Sequence, residues 1–218
     1  MEIIVEGRGI NFFEPNQVIF NFTFISKSEN YDEVLELGSK NVKNFIDKIL
    51  TKNKIASNKM KTRNFVIREE TKFNELTRKY EFDGYSYNQN AELRFDYNKN
   101  KMAKIMDEIS KLDIPPIYQI SFGIKDEQEC RREILKDAYN DALEQAKVIA
   151  DAAGKNLIQC VKTDFKPFTT EYSSSTKIGS DMLYAKKTYI CSAENIANTF
   201  TPEDIEIMES LYCLWQAE

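Results

Sequence analysis

The sequence predicts an α+β protein with a mostly antiparallel sheet, built from strand–helix–strand units and containing about three main helices. Three observations lead to this prediction. Apolar and polar residues alternate along several segments, which is typical of half-buried strands. Three other segments repeat apolar residues at spacings of three and four, which is typical of helices. Hairpin connections are mixed with the helices, and this mixture favours antiparallel pairing.

The chain opens with a short β-rich run at residues 3–5, followed by Gly7-Arg8-Gly9. Two glycines around one residue predict a bulge or a sharp turn at this point. The glycines do not form a dinucleotide fingerprint, because a third glycine and a directly following helix are missing.

Residues 18–26 alternate and predict a half-buried strand. Its apolar face consists of Val18, Phe20, Phe22 and Phe24. Residues 31–52 carry apolar side chains at helical spacing and predict the first helix. Gly38 interrupts this stripe and weakens the helical propensity by roughly 1 kcal/mol.

Residues 59–73 and 79–97 predict two long strands joined by a hairpin near Asn74-Glu75. One face of the second strand gathers Ala91, Leu93, Phe95 and Tyr97. Gly84, within the second strand, predicts a bulge or a close approach of another backbone.

Residues 98–112 predict the second helix, in which Met102, Ile105, Met106 and Ile109 recur at helical spacing. Asp113-Ile114-Pro115-Pro116 ends this helix, because a residue that precedes proline avoids the helical region. A strand follows at 118–124. Residues 126–153 predict the third and strongest helix, and Gly154 provides its C-terminal cap. The apolar stripe of this helix is narrow and consists mainly of alanine: Leu135, Ala138, Ala142, Ala146, Ile149 and Ala153. Small side chains allow a helix to lie close to a sheet.

The C-terminal part predicts a strand at 157–165, a loop rich in serine and threonine at 169–181, a strand at 184–191 and a last strand at 205–215. No flexible linker is visible in the chain. We therefore expect a single domain over residues 1–218, with a sub-structure break near residue 115 at Pro115-Pro116.

The composition excludes several kinds of chemistry. The net charge is −5, whereas nucleic-acid binding normally requires a basic excess. These 218 residues contain no histidine, which excludes serine–histidine and cysteine–histidine nucleophile pairs and histidine-ligated metals. Chemistry based on carboxylates or lysine stays open. The sequence predicts no catalytic residue, no cofactor, no metal site and no nucleic-acid partner.

The cysteines predict structural, unpaired thiols. They lie at Cys130, Cys160, Cys191 and Cys213, without a C-x-x-C pair or a zinc-type spacing. Residues 1–7 show no signal peptide, and no apolar run approaches the roughly 18 residues of a spanning helix. We therefore expect a soluble cytoplasmic protein without a membrane span.

Long strands with aromatic residues predict an interaction surface. Tyrosines recur along 79–97, and tyrosine is enriched at protein–protein interfaces. The segment 203–216 ends in a run of apolar and aromatic residues. Long strand edges invite pairing with another chain. The sequence predicts a homo-oligomer formed through strand edges, and the candidate interface residues are Tyr85, Tyr87, Tyr212 and Trp215.

Several motifs resemble the SIMPL-domain family. Residues 5–9 (VEGRG) match its V-x-G-x-G start, and Gly84-Tyr85 followed by Asn88 is similar to its next segment. Residues 135–146 (LKDAYNDALEQA) resemble its L-x-x-A-x-x-D-A-x-x-x-A helix. Residues 201–205 (TPEDI) are similar to its closing T-P-x-x-I strand. These landmarks occur in the family's order and span nearly the whole chain.

The resemblance implies an α+β fold built from strand–helix–strand units. It also implies a tendency to assemble into ring- or channel-like oligomers, which is described for some members. Many relatives carry a signal peptide, so the expected cytoplasmic location departs from the family. The resemblance supplies no catalytic residues.

Together, these observations predict a non-catalytic protein that binds other proteins or assembles with itself. The alternative is a hydrolase that uses carboxylate or lysine residues at a site without a known motif.

Overall fold

A computed structural model describes residues 1–168 and 201–218 of the chain. These residues contain three α-helices and two antiparallel sheets, which confirms the predicted α+β class. The loop predicted at 169–181 and the strand predicted at 184–191, which includes Cys191, lie outside the described residues.

The described residues form two compact units. The terminal unit combines Met1–Glu14, 126–168 and Glu203–Glu218, so both ends of the chain contribute to it. The central unit is Pro15–Lys125. Its end at Lys125 lies beyond the break that the sequence predicts near residue 115. That the chain forms a single domain stays a prediction.

The central unit contains a four-stranded sheet with the order β3-β4-β2-β5, in which all neighbouring strands are antiparallel. Its elements are β2 (Gln17–Ser28), α1 (Tyr31–Phe45), β3 (Met60–Asn74), β4 (Lys79–Asp96), α2 (Lys99–Ser110) and β5 (Ile117–Gly123). A π-helical turn, Ile46–Thr51, continues α1, so the predicted helix at 31–52 is confirmed.

The core of the central unit forms between the sheet and its helices. The predicted apolar face of β2 is buried throughout: Val18, Phe20, Phe22 and Phe24. Phe45 of α1 packs edge-on against Phe22, with ring centroids 4.7 Å apart. Helix α2 buries Met102, Ile105 and Ile109 in the same core. The alternation of β2 and the period of α2 therefore predicted the buried residues correctly.

Capping residues determine where the two helices begin. Asn30 precedes α1, and its side chain accepts a hydrogen bond from the Asp32 backbone N–H at 2.8 Å. Asn98 precedes α2 and accepts from the Lys101 N–H at 2.9 Å. Each bond satisfies a backbone donor that has no partner within the helix.

Gly38 is a packing residue of α1, not a defect in its stripe. It is buried, and a Cβ atom placed on it would lie 2.2 Å from Cδ2 of Tyr87. Tyr87 belongs to β4 and is itself only 2% exposed. The glycine therefore makes room for an aromatic ring between helix and sheet.

We predict that Gly38→Ala destabilises the protein. In an exposed helix the same change would add up to about 1 kcal/mol of stability. Here the added methyl group meets the Tyr87 ring, and overpacking typically costs about 1–3 kcal/mol. Urea unfolding should show a lower midpoint for the variant. Ser39→Ala, at an exposed position of the same helix, is the control and should not lower it. A more stable Gly38→Ala protein would contradict this packing.

The β3–β4 hairpin contains the bulge that Gly84 predicts. Between the pairs Glu69–Tyr85 and Thr71–Phe82, β4 contains one residue more than β3. Gly84 has a φ of +98°, a left-handed conformation that residues with a side chain rarely adopt. The prediction of a bulge at this glycine is confirmed.

The terminal unit contains a three-stranded antiparallel sheet with the order β1-β7-β6 and one long helix. Its elements are β1 (Glu2–Phe13), α3 (Glu127–Ala152), β6 (Leu157–Asp164) and β7 (Ile205–Ala217). Helix α3 ends before Gly154, whose φ of +66° confirms the predicted C-terminal cap.

The prediction of a turn or bulge at Gly7-Arg8-Gly9 is wrong, because β1 continues through these residues without a register shift. The glycines instead allow α3 to approach the strand. A Cβ atom on Gly7 would lie 1.9 Å from the Ala138 carbonyl oxygen, and one on Gly9 would lie 2.2 Å from that of Ile134. Strand and helix are in backbone contact at both positions.

The predicted stripe of α3 is partly wrong. The buried residues recur strictly every fourth position: Ile134, Ala138, Ala142, Ala146 and Ala150. Leu135 is only half-buried, and Ile149 and Ala153 are exposed. The glycines of β1 bring the backbone of α3 close to the strand, so this row of residues, mostly alanines, lies against the sheet, and Leu135 and Ile149 lie outside the row.

None of the helices in the described part of the chain combines the length and the apolarity that crossing a membrane requires.

Candidate functional site

The candidate site is the outer end of the β3–β4 hairpin. Strand β2 pairs with β4 only as far as the Ser28–Tyr85 pair. Beyond it, from Thr71–Phe82 to Asn74–Lys79, β3 and β4 pair only with each other among the described residues. We call residues 71–82 the arm. It is a two-stranded ribbon, and such a ribbon is only marginally stable in water unless something covers one of its faces.

The arm has one apolar and one polar face, because residues that pair directly across two strands share a face and the faces alternate along a strand. Phe73 pairs with Tyr80, and Phe82 lies two residues further along on the same face. The rings of Phe73 and Tyr80 contact each other edge-on, with centroids 5.3 Å apart. The opposite face carries the pair Lys72–Glu81.

The apolar face is open to solvent. Tyr80 is 73% exposed, and Phe73 and Phe82 are each about half exposed. Leu76, in the turn, is 96% exposed. Single exposed apolar residues are common, but a contiguous apolar patch with a polar rim marks an interaction surface. The arm has both the patch and the rim.

Hydrogen bonds connect the side chains and the backbone at the tip of the arm. The Asn74 side-chain carbonyl accepts from the Leu76 N–H at 2.9 Å, and its amide group donates to Glu81. The Thr77 hydroxyl donates to Glu81 at 2.8 Å. The hydrogen bonds from Asn74, and then those from Thr77, lower the pKa of the Glu81 carboxyl. These hydrogen bonds favour the observed shape of the tip and leave its aromatic side chains exposed.

The four candidate interface residues do not form one cluster. Tyr85 stands at the base of the arm, half-buried, with its ring 5.3 Å from Phe82 and 5.5 Å from Tyr31. Tyr87 faces the core of the central unit, where its hydroxyl donates to Gln89. The burial of Tyr87 leaves no ring face for another chain to contact directly.

Tyr212 and Trp215 belong to the terminal unit. Trp215 is 3% exposed and packs against Tyr139, with ring centroids 5.6 Å apart. Its indole N–H is buried without a hydrogen-bond partner among the described residues. Tyr212 is half-buried and pairs with Glu6 across β1 and β7. Trp215 therefore supports the core of the terminal unit.

The interface residues predicted from the sequence do not include Phe73, Leu76 and Phe82. Their position around the hairpin turn could have predicted them. Phe73 and Tyr80 stand at equal distances from the polar hairpin turn, so they must pair across the strands. An aromatic pair next to a turn cannot be buried by the hairpin itself.

A buried carboxylate stabilises the outer surface of the central sheet. Glu92 is only 8% exposed and accepts hydrogen bonds from Arg94 at 2.5 Å and from Arg63. The bond from Arg94 is the largest cause that lowers the Glu92 pKa, and the bond from Arg63 adds to it against desolvation. A lowered folded-state pKa stabilises the fold above the unfolded-state pKa, and this contribution is lost on acidification.

The thiols are unpaired in the described residues, at Cys130, Cys160 and Cys213. Burial of Cys213 raises the pKa of its thiol to about 11, with a smaller contribution from the neighbouring Cys160. A thiol with this pKa is a poor nucleophile at neutral pH. Within residues 1–168 and 201–218, no three cysteine or acidic side chains stand together in an arrangement that could hold a metal ion.

Comparison with known proteins identifies one family. Residues 3–210 match the sequence model of the SIMPL family, which is described as "Protein of unknown function (DUF541)". No curated protein matches the chain.

Proposed function

The chain belongs to the SIMPL family, and from this premise and the geometry of the arm we propose that it is a non-catalytic, self-assembling protein-binding module. The arm of one copy binds the arm of a second copy through the apolar faces. The observation that carries this proposal is the exposed aromatic face of Phe73, Tyr80 and Phe82 on an otherwise unsupported ribbon.

Burial of this face is energetically favourable. Each aromatic side chain that leaves water contributes on the order of 25 cal/mol for every Å² of apolar surface buried. The hydrogen bonds around Asn74 and Glu81 favour this shape of the tip and so lower the cost of ordering the chain on binding. Covering the face also stabilises the ribbon, which by itself is only marginally stable in water.

A second copy is a suitable occupant, because the apolar face is self-complementary. Two arms related by a two-fold axis bring aromatic rings against aromatic rings, and the charged pair Lys72–Glu81 stays on the outside. The arm also includes part of β3, which is an edge strand of the central sheet. Strand-edge contact, as the sequence predicts, and aromatic contact can thus act at the same interface.

We predict that Tyr80→Asp converts an oligomer into a 25.4 kDa monomer. The carboxylate would have to be desolvated in the middle of the aromatic face, and a buried unpaired charge is strongly unfavourable. Light scattering behind a sizing column measures the mass directly. Tyr80 is highly exposed, so the substitution should leave the fold intact.

Lys79→Asp is the matched control, because Lys79 is exposed on the opposite face of the same strand. This variant should keep the wild-type mass. A wild-type protein that remains a 25.4 kDa monomer at high micromolar concentration would rule out assembly. An oligomer that both variants leave intact would place the interface elsewhere.

The alternative is a hydrolase that uses carboxylate or lysine residues. No arrangement of side chains among the described residues specifically favours it. A panel of esterase, phosphatase, nuclease and glycosidase substrates tests it. Turnover that a single carboxylate substitution abolishes would establish the alternative and contradict a non-catalytic role.

A further inference from the structure

An open groove of about 910 Å³ lies in the central unit, away from the arm. It is formed by residues 54–61, the end of β4 and the start of α2. Its cationic lining residues are Lys54, Lys59, Lys61, Arg94, Lys101 and Lys125. Its acidic lining residues are Glu92 and Asp96. The groove is therefore positively charged, although the net charge of the whole chain is −5.

The two acids do not neutralise most of these cations, because arginine residues and Lys125 already engage them. Glu92 accepts from Arg94 and from Arg63, and Asp96 accepts from the Lys125 ammonium group at 3.0 Å. The remaining lysines form no ion pair with the described residues: Lys54, Lys59, Lys61 and Lys101. Several unpaired cations in one concavity attract a multivalent anion.

The N-terminus of α2 adds to this positive potential. The positive end of a helix dipole favours an acidic residue in the first turn. The first turn of α2 contains no acidic residue and instead includes Lys99 and Lys101. The Lys101 ammonium group lies 5.2 Å from the centre of the Phe95 ring. Both residues line the groove, and Lys101 forms no ion pair with a described carboxylate. A bound anion would stabilise both the helix end and these lysines.

Lys54 stands in the groove at a cost in backbone energy. Its φ is +54°, in the left-handed region that glycine adopts freely and a lysine does not. Glycine or asparagine would fit this turn more easily, and neither would bring a positive charge to the groove. Residues held in unfavourable backbone conformations cluster at functional sites.

We propose that this groove binds a multiply charged phosphate ligand, either an inorganic oligophosphate or the triphosphate chain of a nucleotide. Lysine ammonium groups bind phosphate oxygens as point charges. Four unpaired lysines, spread over a groove of this volume, suit a chain of phosphoryl groups better than a single anion. The groove shares no residue with the arm, so the site does not depend on self-assembly.

The test is calorimetric titration of the full chain with inorganic tripolyphosphate and with ATP, at low ionic strength. We expect saturable binding that weakens as salt is added. Tighter binding of ATP would identify a nucleotide as the natural source, and tighter binding of tripolyphosphate an inorganic one. The double variant Lys59→Glu/Lys101→Glu should raise the dissociation constant about tenfold or more, because it removes two charge-assisted contacts.

Lys136→Glu/Lys147→Glu, at two exposed positions on α3, is the control. Each substitution lowers the charge by two, so both double variants go from −5 to −9. The control should bind as the wild type does. The proposal is overturned if the wild type shows no saturable binding or if the two variants lose affinity equally. A single-stranded oligonucleotide that binds more tightly than either phosphate probe would also overturn the assigned ligand class.

Discussion

Ala142→Leu should destabilise the terminal unit by about 3 kcal/mol, at the upper end of the usual cost of overpacking. Ala142 is fully buried, and it faces Gly7 of β1. A Cβ atom on Gly7 would lie only 2.7 Å from the Ala142 Cβ and 2.6 Å from its backbone nitrogen. Helix and strand are therefore in backbone contact, and three additional carbon atoms cannot be placed without separating them.

Tryptophan fluorescence during urea unfolding measures this effect locally. The chain has a single tryptophan, Trp215, which is buried in the same unit as Ala142. The control is Glu144→Leu, an equally apolar replacement at an exposed position of the same helix, and it should change the stability little. Similar small effects at both positions would show that α3 buries another face.

Phe22→Ala should destabilise the central unit by about 4 kcal/mol, because removal of a fully buried aromatic ring loses its transfer free energy and leaves a cavity. Phe22 is 1% exposed. Its ring stacks on Phe20 at a centroid distance of 5.5 Å and contacts Phe45 at 4.7 Å. These neighbours belong to a sheet and a helix, so they cannot readily collapse into the space.

Hydrogen exchange, followed by mass spectrometry, measures the loss within the central unit. Amides of β2, β4 and β5 should exchange faster in Phe22→Ala under native conditions. Ile25→Ala, three residues along the same strand but on the exposed face, is the control and should exchange at nearly the wild-type rate. Equal exchange in both variants would contradict a core centred on Phe22.

The buried faces of β2, β4 and α2 followed from short-range patterns. Alternation along 18–26 correctly assigned Phe20 and Phe22 to the core, because side chains of a strand point alternately to its two faces. The positive φ values at Gly84 and Gly154 were also foreseeable, since glycine adopts this conformation most easily. These features depend on a residue and its near neighbours, which the sequence displays directly.

The candidate site was only partly foreseeable. The sequence predicts an interface at tyrosines of β4, but it does not separate Tyr80, which is exposed on the arm, from Tyr87, which is buried beneath α1. Both stand in the same strand and have the same chemistry. Their difference arises because α1 covers one part of β4 and the hairpin extends beyond it, and this depends on helix placement and strand length.

By itself, the sequence determined the α+β class, the buried faces of β2, β4 and α2, and the C-terminal ends of α2 and α3, because periodicity and helix-ending residues are local properties. Only the tertiary structure decided the roles of Gly7, Gly9 and Gly38. A glycine that permits a turn and a glycine that permits a backbone or a ring to come close are identical in sequence. What distinguishes them is the neighbour that fills the space of the missing side chain, and at Gly7 that neighbour is a helix more than a hundred residues away along the chain.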